Sequence, residues 1–211
     1  MNKKSRRKHS FSFGISYLCT MICIDFDGTL TTRNTLPLLL LDAGGWQNMA
    51  VNCLKESFSL LFTALGLKSK ARMKEQIFER FFFRWPEERF VSLCEYSAKK
   101  NQHIVRPEMI QRIENAIASG EQLVVVTSNC EQLVRAYLKE YPQVDIIGTT
   151  LDIYQGQLSG RFKSPYCTGM EKVRRLLEKY PNKKEYHLTA YGNSTEDIEL
   201  LDLADEGHWV E

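Results

Sequence analysis

The most restrictive feature of the sequence is a regular alternation of strand-like and helix-like segments after residue 119. The apolar run QLVVVTSN (122–129) has the length of a buried strand, and the segment EQLVRAYLKEY that follows it has helical spacing. The alternation continues through a strand and a hairpin turning near Gln155-Gly156, a helix (169–180), a strand (185–192), a helix (194–205) and a strand (207–211). Such alternation requires right-handed crossovers and a parallel sheet covered on both faces. We therefore predict an α/β fold.

The first 120 residues add one more strand and a long helical segment. Residues 21–26 (MICIDF) predict a short buried strand that ends at a glycine turn. From about residue 34 to 118, apolar residues recur at intervals of three or four, in the series Trp46, Ala50, Leu54, Phe58, Leu61, Leu65, then Met73, Ile77, Phe81, then Phe90, Cys94, Ala98. Pro86, Pro107 and Gly120 occupy positions typical of helix ends. The pattern predicts four or five amphipathic helices inserted into one domain formed by 21–33 and 119–211.

The charge is unevenly distributed. Five basic residues and no acidic residue fall in the first ten positions, so the remaining 23 basic and 26 acidic residues give the rest of the chain a net charge of −3. A basic surface for nucleic acid is therefore not predicted. We expect residues 1–20 to be a basic, disordered extension, with Met21 as a candidate true start; a targeting or membrane-contact segment is the alternative.

Hydrophobic patterning and cysteine usage indicate a cytoplasmic protein. No stretch offers the roughly 18 to 20 uninterrupted apolar residues of a membrane span, because Lys55 and Glu56 interrupt the most apolar window. The six cysteines include no CxxC pair, and reduced thiols are the simplest interpretation. Cys167 lies near Lys172 in the sequence. No histidine-based constellation surrounds it, so we do not predict it to be a nucleophile.

Two carboxylates stand at the carboxyl end of the first predicted strand. Asp25 and Asp27 are two residues apart in an extended segment, so they project to the same face. Gly28 then lets the backbone turn sharply, and free N–H groups of the turn can face an anion. Carboxylates this close repel one another and favour a shared proton or a divalent cation. Oxygen ligands with open water positions suit Mg²⁺ better than zinc.

Further polar residues follow the other predicted strands: Thr127, Lys172 at a helix start, and Asn193 with Asp197. Ligands of open α/β sheets bind outside the carboxyl ends of the strands. A lysine and a hydroxyl beside two carboxylates form a cradle for a dianionic phosphoryl group. Each of these residues alone has an ordinary structural interpretation: Thr127 as a turn residue, Lys172 as a solvated charge on a helix, and Asp197 as an acid that interacts favourably with a helix dipole. Their convergence is what indicates a site.

The segments DFDGT, VVVT, the lysine of MEK and YGNSTED match, in order and at strand ends, the four motifs of the haloacid dehalogenase superfamily of phosphatases and phosphotransferases. The match spans residues 21–211. The helical insert resembles the type-1 cap of the phosphoserine-phosphatase-like branch. Within it, the stretch TTLDIYQGQLSGRFKSPYCTGMEKV looks like members that include phosphatidylglycerophosphate phosphatases. The resemblance implies a Rossmann-like core with a helical cap.

The resemblance also implies a role for each motif residue. Asp25 would attack phosphorus and form an aspartyl-phosphate, and Asp27 would protonate the leaving group and then deprotonate water. Mg²⁺ would bind the Asp25 carboxylate, the Asp27 backbone carbonyl and the Asn193 side chain. The phosphoryl oxygens would be held by Thr127, Ser128 and Lys172 and by backbone groups of Phe26 and Gly28. Asp197 would orient Lys172 or metal-bound water.

Two positions depart from the family pattern. Asn193 stands where the family usually has aspartate, which removes one negative charge and predicts a weaker Mg²⁺ requirement. Glu196 stands where phosphoserine phosphatases commonly carry asparagine near the substrate. This departure argues against phosphoserine as the substrate.

These inferences predict a Mg²⁺-dependent phosphatase acting on a phosphate monoester. The presence of Asp27 argues against the dehalogenase and ATPase branches, which lack an acid there. The alternatives are a phosphotransferase with the same intermediate and, because of Asn193, a catalytically weakened phosphate-binding module. The substrate prediction covers small phosphorylated metabolites and, because of the apolar stripes in the insert, a lipid phosphate. The oligomeric state is left open.

Overall fold

The structure is a computed structural model that describes residues 19–44 and 69–211. Most of the predicted N-terminal extension and the apolar series at 46–65 lie outside the described residues, as does Cys53. Among the described helices, none is both long and apolar enough to cross a membrane. The five described cysteines form no disulfide.

A five-stranded parallel sheet forms the centre of the fold. Its strands are β1 (Cys19–Ile24), β2 (Gln122–Cys130), β3 (Asp145–Thr149), β6 (Tyr186–Gly192) and β7 (Glu206–Trp209), in the spatial order β3-β2-β1-β6-β7. All four neighbouring pairs are parallel. The first strand is central, and its Ile24 is in register with Val125 of β2 and Tyr191 of β6. The predicted α/β fold is confirmed.

Helices cover both faces of this sheet. Side chains alternate between the two faces along each strand, so neighbouring residues of β2 pack against different helices. Leu123 and Val125 of β2 belong to a buried cluster with residues of α4 (Pro107–Ser119) and α5 (Glu131–Tyr137). Val124 and Val126 belong to a second cluster with residues of α6 (Met170–Lys179) and α7 (Ile198–Leu203). The core therefore has three layers.

The segment between β1 and β2 is helical where it is described. It contains α1 (residues 36–44), α2 (Lys70–Phe82), α3 (Glu87–Lys100) and α4. Pro86 precedes α3, Pro107 opens α4, and Gly120 ends α4 in a left-handed conformation, as expected for these residues. Although α4 lies inside the predicted insert, Ile113 and Ala116 pack in the same buried cluster as β2. The domain division at 34 and 118 stays a prediction.

An antiparallel hairpin packs against the helical segment. It consists of β4 (Leu151–Tyr154) and β5 (Gln157–Phe162), and it turns at Gln155-Gly156 as predicted, with positive φ at both residues. The Arg84 N–H donates to Leu158 O at 2.8 Å, and the Phe78 and Phe162 rings lie 5.5 Å apart. The hairpin thus fixes α2 at the carboxyl-end edge of the sheet.

Candidate active site

Asp25 lies immediately after the central strand. Its N–H donates to Tyr191 O of β6 at 2.9 Å, which fixes the strand end. The next side chain, Phe26, is fully buried, and its ring meets that of Tyr137 edge-on at 5.4 Å between centroids. Phe26 therefore points into the apolar core, while Asp25 and Asp27 line the same cavity.

Gly28 allows the turn to pass directly beneath Asn193. Its φ is +91°, and a Cβ there would lie 2.1 Å from Asn193 Nδ2, so both conformation and space exclude a side chain. The Thr29 hydroxyl donates to Asn193 Oδ1 at 3.3 Å and to Asp25 Oδ2 at 3.1 Å. The turn thereby brings oxygens from two separate strand ends together.

Lys172 joins two carboxylates beneath the cavity. Its Nζ lies 2.6 Å from Asp25 Oδ1 and 2.5 Å from Asp197 Oδ1, and all three residues are buried. Burial opposes the charge on Lys172, but the two carboxylates outweigh it and raise the pKa of the ammonium. Burial also raises the pKa of Asp25, to about 6, against the opposing effect of Lys172. At neutral pH the cluster therefore carries a lysine cation beside an ionised Asp25.

Asp197 also shapes the loop after β6. Its Oδ2 accepts hydrogen bonds from the N–H groups of Asn193 and Ser194, at 3.2 and 3.0 Å, and from the Ser194 hydroxyl at 2.8 Å. One carboxylate thus holds Lys172 with one oxygen and the Asn193 backbone with the other. This explains why α7 begins only at Ile198, four residues later than predicted.

Asp27 is held by two residues from other parts of the chain. Its Oδ1 accepts from the Thr35 N–H at 2.8 Å and the Thr35 hydroxyl at 2.7 Å, and its Oδ2 accepts from Asn129 Nδ2 at 3.0 Å. Asn129 Nδ2 also donates to Thr35 Oγ1 at 2.8 Å. Burial raises the pKa of Asp27, and the Thr35 and Asn129 hydrogen bonds oppose the shift. The carboxyl is therefore held in one orientation by three hydrogen bonds.

These side chains open onto a cavity of about 590 Å³. Its described lining comprises Asp25, Asp27, Asn34, Lys70, Met73, Lys74, Ser128, Tyr166, Lys172, Ser194 and Glu196. The volume falls within the range of small-molecule sites. Core residues form one side of the cavity and α2 contributes to the other.

A model of the haloacid dehalogenase-like hydrolase family matches residues 22–202, which contain the whole of this site. The chain belongs to the haloacid dehalogenase-like hydrolases. The family resemblance seen in the motifs is confirmed. No curated protein sequence matches the chain.

Solved structures share the fold of this haloacid dehalogenase-like hydrolase at low sequence identity. A protein of unknown function from Bordetella pertussis Tohama I superimposes with a TM-score of 0.75 at 14% identity, over 87% of this chain and 86% of that one. A phospho-aspartyl intermediate analogue of phosphoserine phosphatase gives 0.57 at 16% identity, over 88% and 83%. Cytosolic 5′-nucleotidase IIIB bound to cytidine gives 0.59 at 14% identity, over 90% and 70%.

Of the residues predicted for the site of this hydrolase, Asp25, Asp27, Lys172 and Ser128 line the cavity. Thr127 is 1% exposed and lies outside the described lining; its Oγ1 accepts from the Asn129 N–H at 3.0 Å. Phe26, Gly28, Asn193 and Asp197 are not among the described lining residues. Asp197 contacts the lining residue Lys172, and Asn193 shares the Thr29 hydroxyl with Asp25.

Sequence reasoning missed several residues of the site, and four of them contact or face the predicted catalytic carboxylates or their partners: Thr29, Thr35, Lys74 and Asn129. Asn129 carried a usable signal, since it stands at the end of β2 among polar residues. Thr29 stands two residues after Asp27, within the turn, and carried a weaker signal of the same kind. The other two lie in the helical segment, and nothing in their local pattern marks them.

The oxygens near Thr29 fit a hard divalent cation. Asp25 Oδ2 and Asn193 Oδ1 share the single hydrogen of the Thr29 hydroxyl, which leaves lone pairs free on both oxygens. A carboxylate oxygen and an amide oxygen are the kinds of ligand that Mg²⁺ accepts. The described residues contain no cluster of three or more histidine, cysteine, aspartate and glutamate side chains suited to a metal, so a cation here would need amide, backbone and water oxygens in addition to the Asp25 carboxylate.

Proposed function

We propose that this hydrolase is a Mg²⁺-dependent phosphatase that cleaves a small phosphate monoester through an aspartyl-phosphate on Asp25. The observation that supports it most is the buried Lys172, which contacts Asp25 and Asp197 beneath the cavity. An ammonium fixed beside a nucleophilic carboxylate reduces the repulsion that an incoming dianion would meet.

In the first step, an Asp25 carboxylate oxygen attacks phosphorus and the ester P–O bond breaks. The leaving oxygen takes the proton of Asp27, whose pKa is raised by burial. In the second step, Asp27 takes a proton from water as the water oxygen attacks phosphorus, releasing inorganic phosphate and free Asp25. Thr35 and Asn129 hold the Asp27 carboxyl in place through both proton transfers.

We assign the Mg²⁺ site to the Asp25 carboxylate, the Asn193 amide oxygen and the Asp27 backbone carbonyl. When bound, the ion would polarise a phosphoryl oxygen as a Lewis acid. Ser128, together with the backbone N–H of Phe26, would donate to the phosphoryl oxygens. The Gly28 N–H, predicted as a further donor, donates to Thr31 Oγ1 at 3.3 Å. Thr127 would contribute through the Asn129 backbone, which it holds with its hydroxyl.

The lining of the cavity favours a small, polar substrate over a lipid phosphate. Met73 and Tyr166 are its only apolar or aromatic members among the described residues, and six of the others are charged. We assign the helices between residues 34 and 118 to a cap, because α2 supplies Lys70, Met73 and Lys74 to this lining. A cap of this kind would exclude bulk water during the reaction.

The test is a phosphate-release assay on the purified protein with p-nitrophenyl phosphate and a panel of phosphate esters. We expect Mg²⁺ to stimulate turnover and EDTA to suppress it. Nitrophenol in excess of inorganic phosphate when glycerol is added would identify a phosphotransferase instead. No turnover of any ester, with retained binding of inorganic phosphate, would identify a phosphate-binding module and refute the proposal.

A further inference from the structure

The wall of the cavity that α2 provides carries two lysines. Lys70 and Lys74 are four residues apart on the helix, so they lie on the same face. Both line the cavity together with Asp27 and Glu196. Lys74 also lines a smaller adjoining pocket with Asp27, which places it on the side of the cavity where the general acid lies.

Two of the three lysines in the described cavity lining form ion pairs, and the third does not. Lys172 contacts Asp25 at 2.6 Å, and Lys70 contacts Glu196 at 2.9 Å. Lys74 forms neither an ion pair nor a hydrogen bond with any described residue, although Asp27 and Glu196 act on it at longer range. One cation of the cavity therefore lacks a direct partner within the described part of the chain.

Lys74 is also partly withdrawn from water. Its residue is half-buried, and burial lowers the pKa of its ammonium despite the opposing effect of Asp27 and Glu196. A cation that has lost part of its hydration without gaining a direct partner is destabilised. An anion bound at this point would restore the lost interaction.

We propose that Lys74 binds a second anionic group, carried by the leaving-group part of the substrate. The inference rests on the proposed function and names its substrate class: phosphate monoesters whose alcohol portion itself carries a carboxylate or a phosphate. Asp25 and Lys172 mark the position of the scissile phosphoryl group, and Asp27 marks the leaving oxygen. Lys74 lines both pockets that Asp27 lines, which places it on the leaving-group side of the cavity.

The same arrangement disfavours substrates with a cationic leaving group. Glu196 is the one lining carboxylate outside the catalytic pair among the described residues, and it is bonded to Lys70. Burial works to raise the pKa of Glu196, but the Lys70 and Thr168 hydrogen bonds outweigh it and lower that pKa. The Glu196 carboxylate is therefore already paired with Lys70. An ammonium group on the substrate would have to displace Lys70 from it, and would be repelled by Lys74.

Four probes of similar size test the proposal, because they differ only in the terminal group of a two-carbon alcohol. Phosphoglycolate ends in a carboxylate, ethane-1,2-diyl bisphosphate in a phosphate, 2-hydroxyethyl phosphate in a neutral hydroxyl and phosphoethanolamine in an ammonium. We expect the wild-type protein to give a higher kcat/KM with at least one anionic probe than with the neutral probe, and the lowest value with phosphoethanolamine. Whichever anionic probe is preferred identifies the group that Lys74 receives.

Lys74→Met should lower kcat/KM for the preferred anionic probe by about 10- to 100-fold, the range expected for losing a charge-assisted contact. The value for 2-hydroxyethyl phosphate should fall by a clearly smaller factor, because this probe loses no contact with Lys74 and is affected only through the long-range effect of Lys74 on Asp27. Lys74→Arg should retain most of the preference. Lys139→Met removes the same charge from an exposed residue paired with Glu95, away from the cavity, and should change neither value.

Equal losses with the anionic and neutral probes would mean that Lys74 acts on the scissile phosphoryl group or on the fold, and would overturn the proposal. An unchanged preference in Lys74→Met would also overturn it. If Lys74→Met does not fold, the wild-type ranking still decides, because equal kcat/KM values for anionic and neutral probes contradict the proposal. Absence of turnover with every probe and with p-nitrophenyl phosphate would refute the proposed function itself.

Discussion

Lys172 lies within ion-pair distance of two buried carboxyl groups, those of Asp25 and Asp197. We expect Lys172→Met to lower the free energy of unfolding by about 3 to 5 kcal/mol at pH 7, because the variant leaves two buried carboxylates without their cation. Because Lys172 opposes the rise in the pKa of Asp25, loss of the cation raises that pKa further in the folded state. Protonation then favours the folded state, so the destabilisation should be smaller at pH 5 than at pH 7.

Urea unfolding of Lys172→Met and Lys139→Met at both pH values measures this effect. Lys139→Met is the matched control, because Lys139 is exposed and its pair with Glu95 is a surface pair. An equal loss of stability at pH 5 and pH 7 would contradict the idea that unpaired carboxylates cause the destabilisation.

Asp25 and Asp27 make separable contributions to the proposed reaction. Asp25→Asn should reduce kcat by at least about 10³-fold and abolish covalent labelling, because the amide cannot form the phospho-enzyme. Asp27→Asn should reduce kcat by about 10²- to 10⁴-fold, because it removes proton transfer. Acid quenching during turnover of a ³²P-labelled ester measures both the label and the rate. Retained labelling in Asp25→Asn would exclude Asp25 as the nucleophile.

At the residue scale, the sequence predicts what the sheet edge brings together. Asp25, Lys172 and Asp197 follow separate strands or begin a helix, and parallel strands place such residues at one edge. Thr35 and Lys74 could not be found in this way. Their positions depend on how the helical segment docks, which in turn depends on contacts between residues far apart in the sequence.

At the element scale, α2 depends on the β4–β5 hairpin for its position. Gly160 of β5 lies so close to α2 that a Cβ there would be 2.6 Å from Glu79 Cα. The Phe162 N–H donates to Glu75 Oε1 at 3.1 Å on the same helix. Since α2 carries Lys74, the spacing between hairpin and helix determines where one wall of the cavity lies.

Gly160→Ala should therefore impair both stability and substrate binding. The φ of +80° costs an alanine about 1 to 2 kcal/mol, and the clash with Glu79 Cα adds to this by pushing α2 away. We expect a raised KM for an anionic ester with a smaller change in kcat. Gly156→Ala is the matched control: its φ is +73°, but nothing lies within 4 Å of its Cβ. Equal effects of the two variants on KM would show that the spacing of α2 does not matter.

Some elements of this fold follow from local sequence and others do not. The hairpin turn at Gln155-Gly156 was predicted correctly, because only a few residue types adopt a left-handed conformation there. The helix predicted at 194–205 is shorter, since the Asp197 side chain accepts from the N–H groups of Asn193 and Ser194 and keeps that segment as a loop. A side chain that competes for backbone N–H groups is not visible in apolar periodicity.

At the scale of the whole molecule, the site lies where the strand order reverses. The chain passes from β1 to β2 on one side of the sheet and later returns to β6 on the other side of β1. Asp25 follows β1, Asn129 is the penultimate residue of β2 and Asn193 follows β6, so the gap beyond β1 collects residues from all three strands. Ligand sites of open α/β sheets form at such switch points.

Because the proposed metal ligands come from separate strands, Mg²⁺ binding should stabilise the whole fold. A cation held by residues from separate strands binds the folded state and not the unfolded chain, so it raises the apparent stability. At 100 times its Kd, Mg²⁺ should contribute about 2.7 kcal/mol, or a rise in Tm on the order of 5 to 10 °C for a chain of this size.

Asn193→Asp should sharpen this response. The added carboxylate lies beside Asp25 and Thr29, so it should lower the Tm in EDTA through repulsion and lower the Mg²⁺ concentration needed for half the thermal shift. Asn34→Asp makes the same change elsewhere in the cavity lining and should leave the Mg²⁺ midpoint close to that of the wild type. Differential scanning fluorimetry across a Mg²⁺ titration measures all three proteins. Equal midpoints for Asn193→Asp and the wild type would mean that residue 193 is not a ligand, because a directly coordinating oxygen that gains a full negative charge must change the affinity.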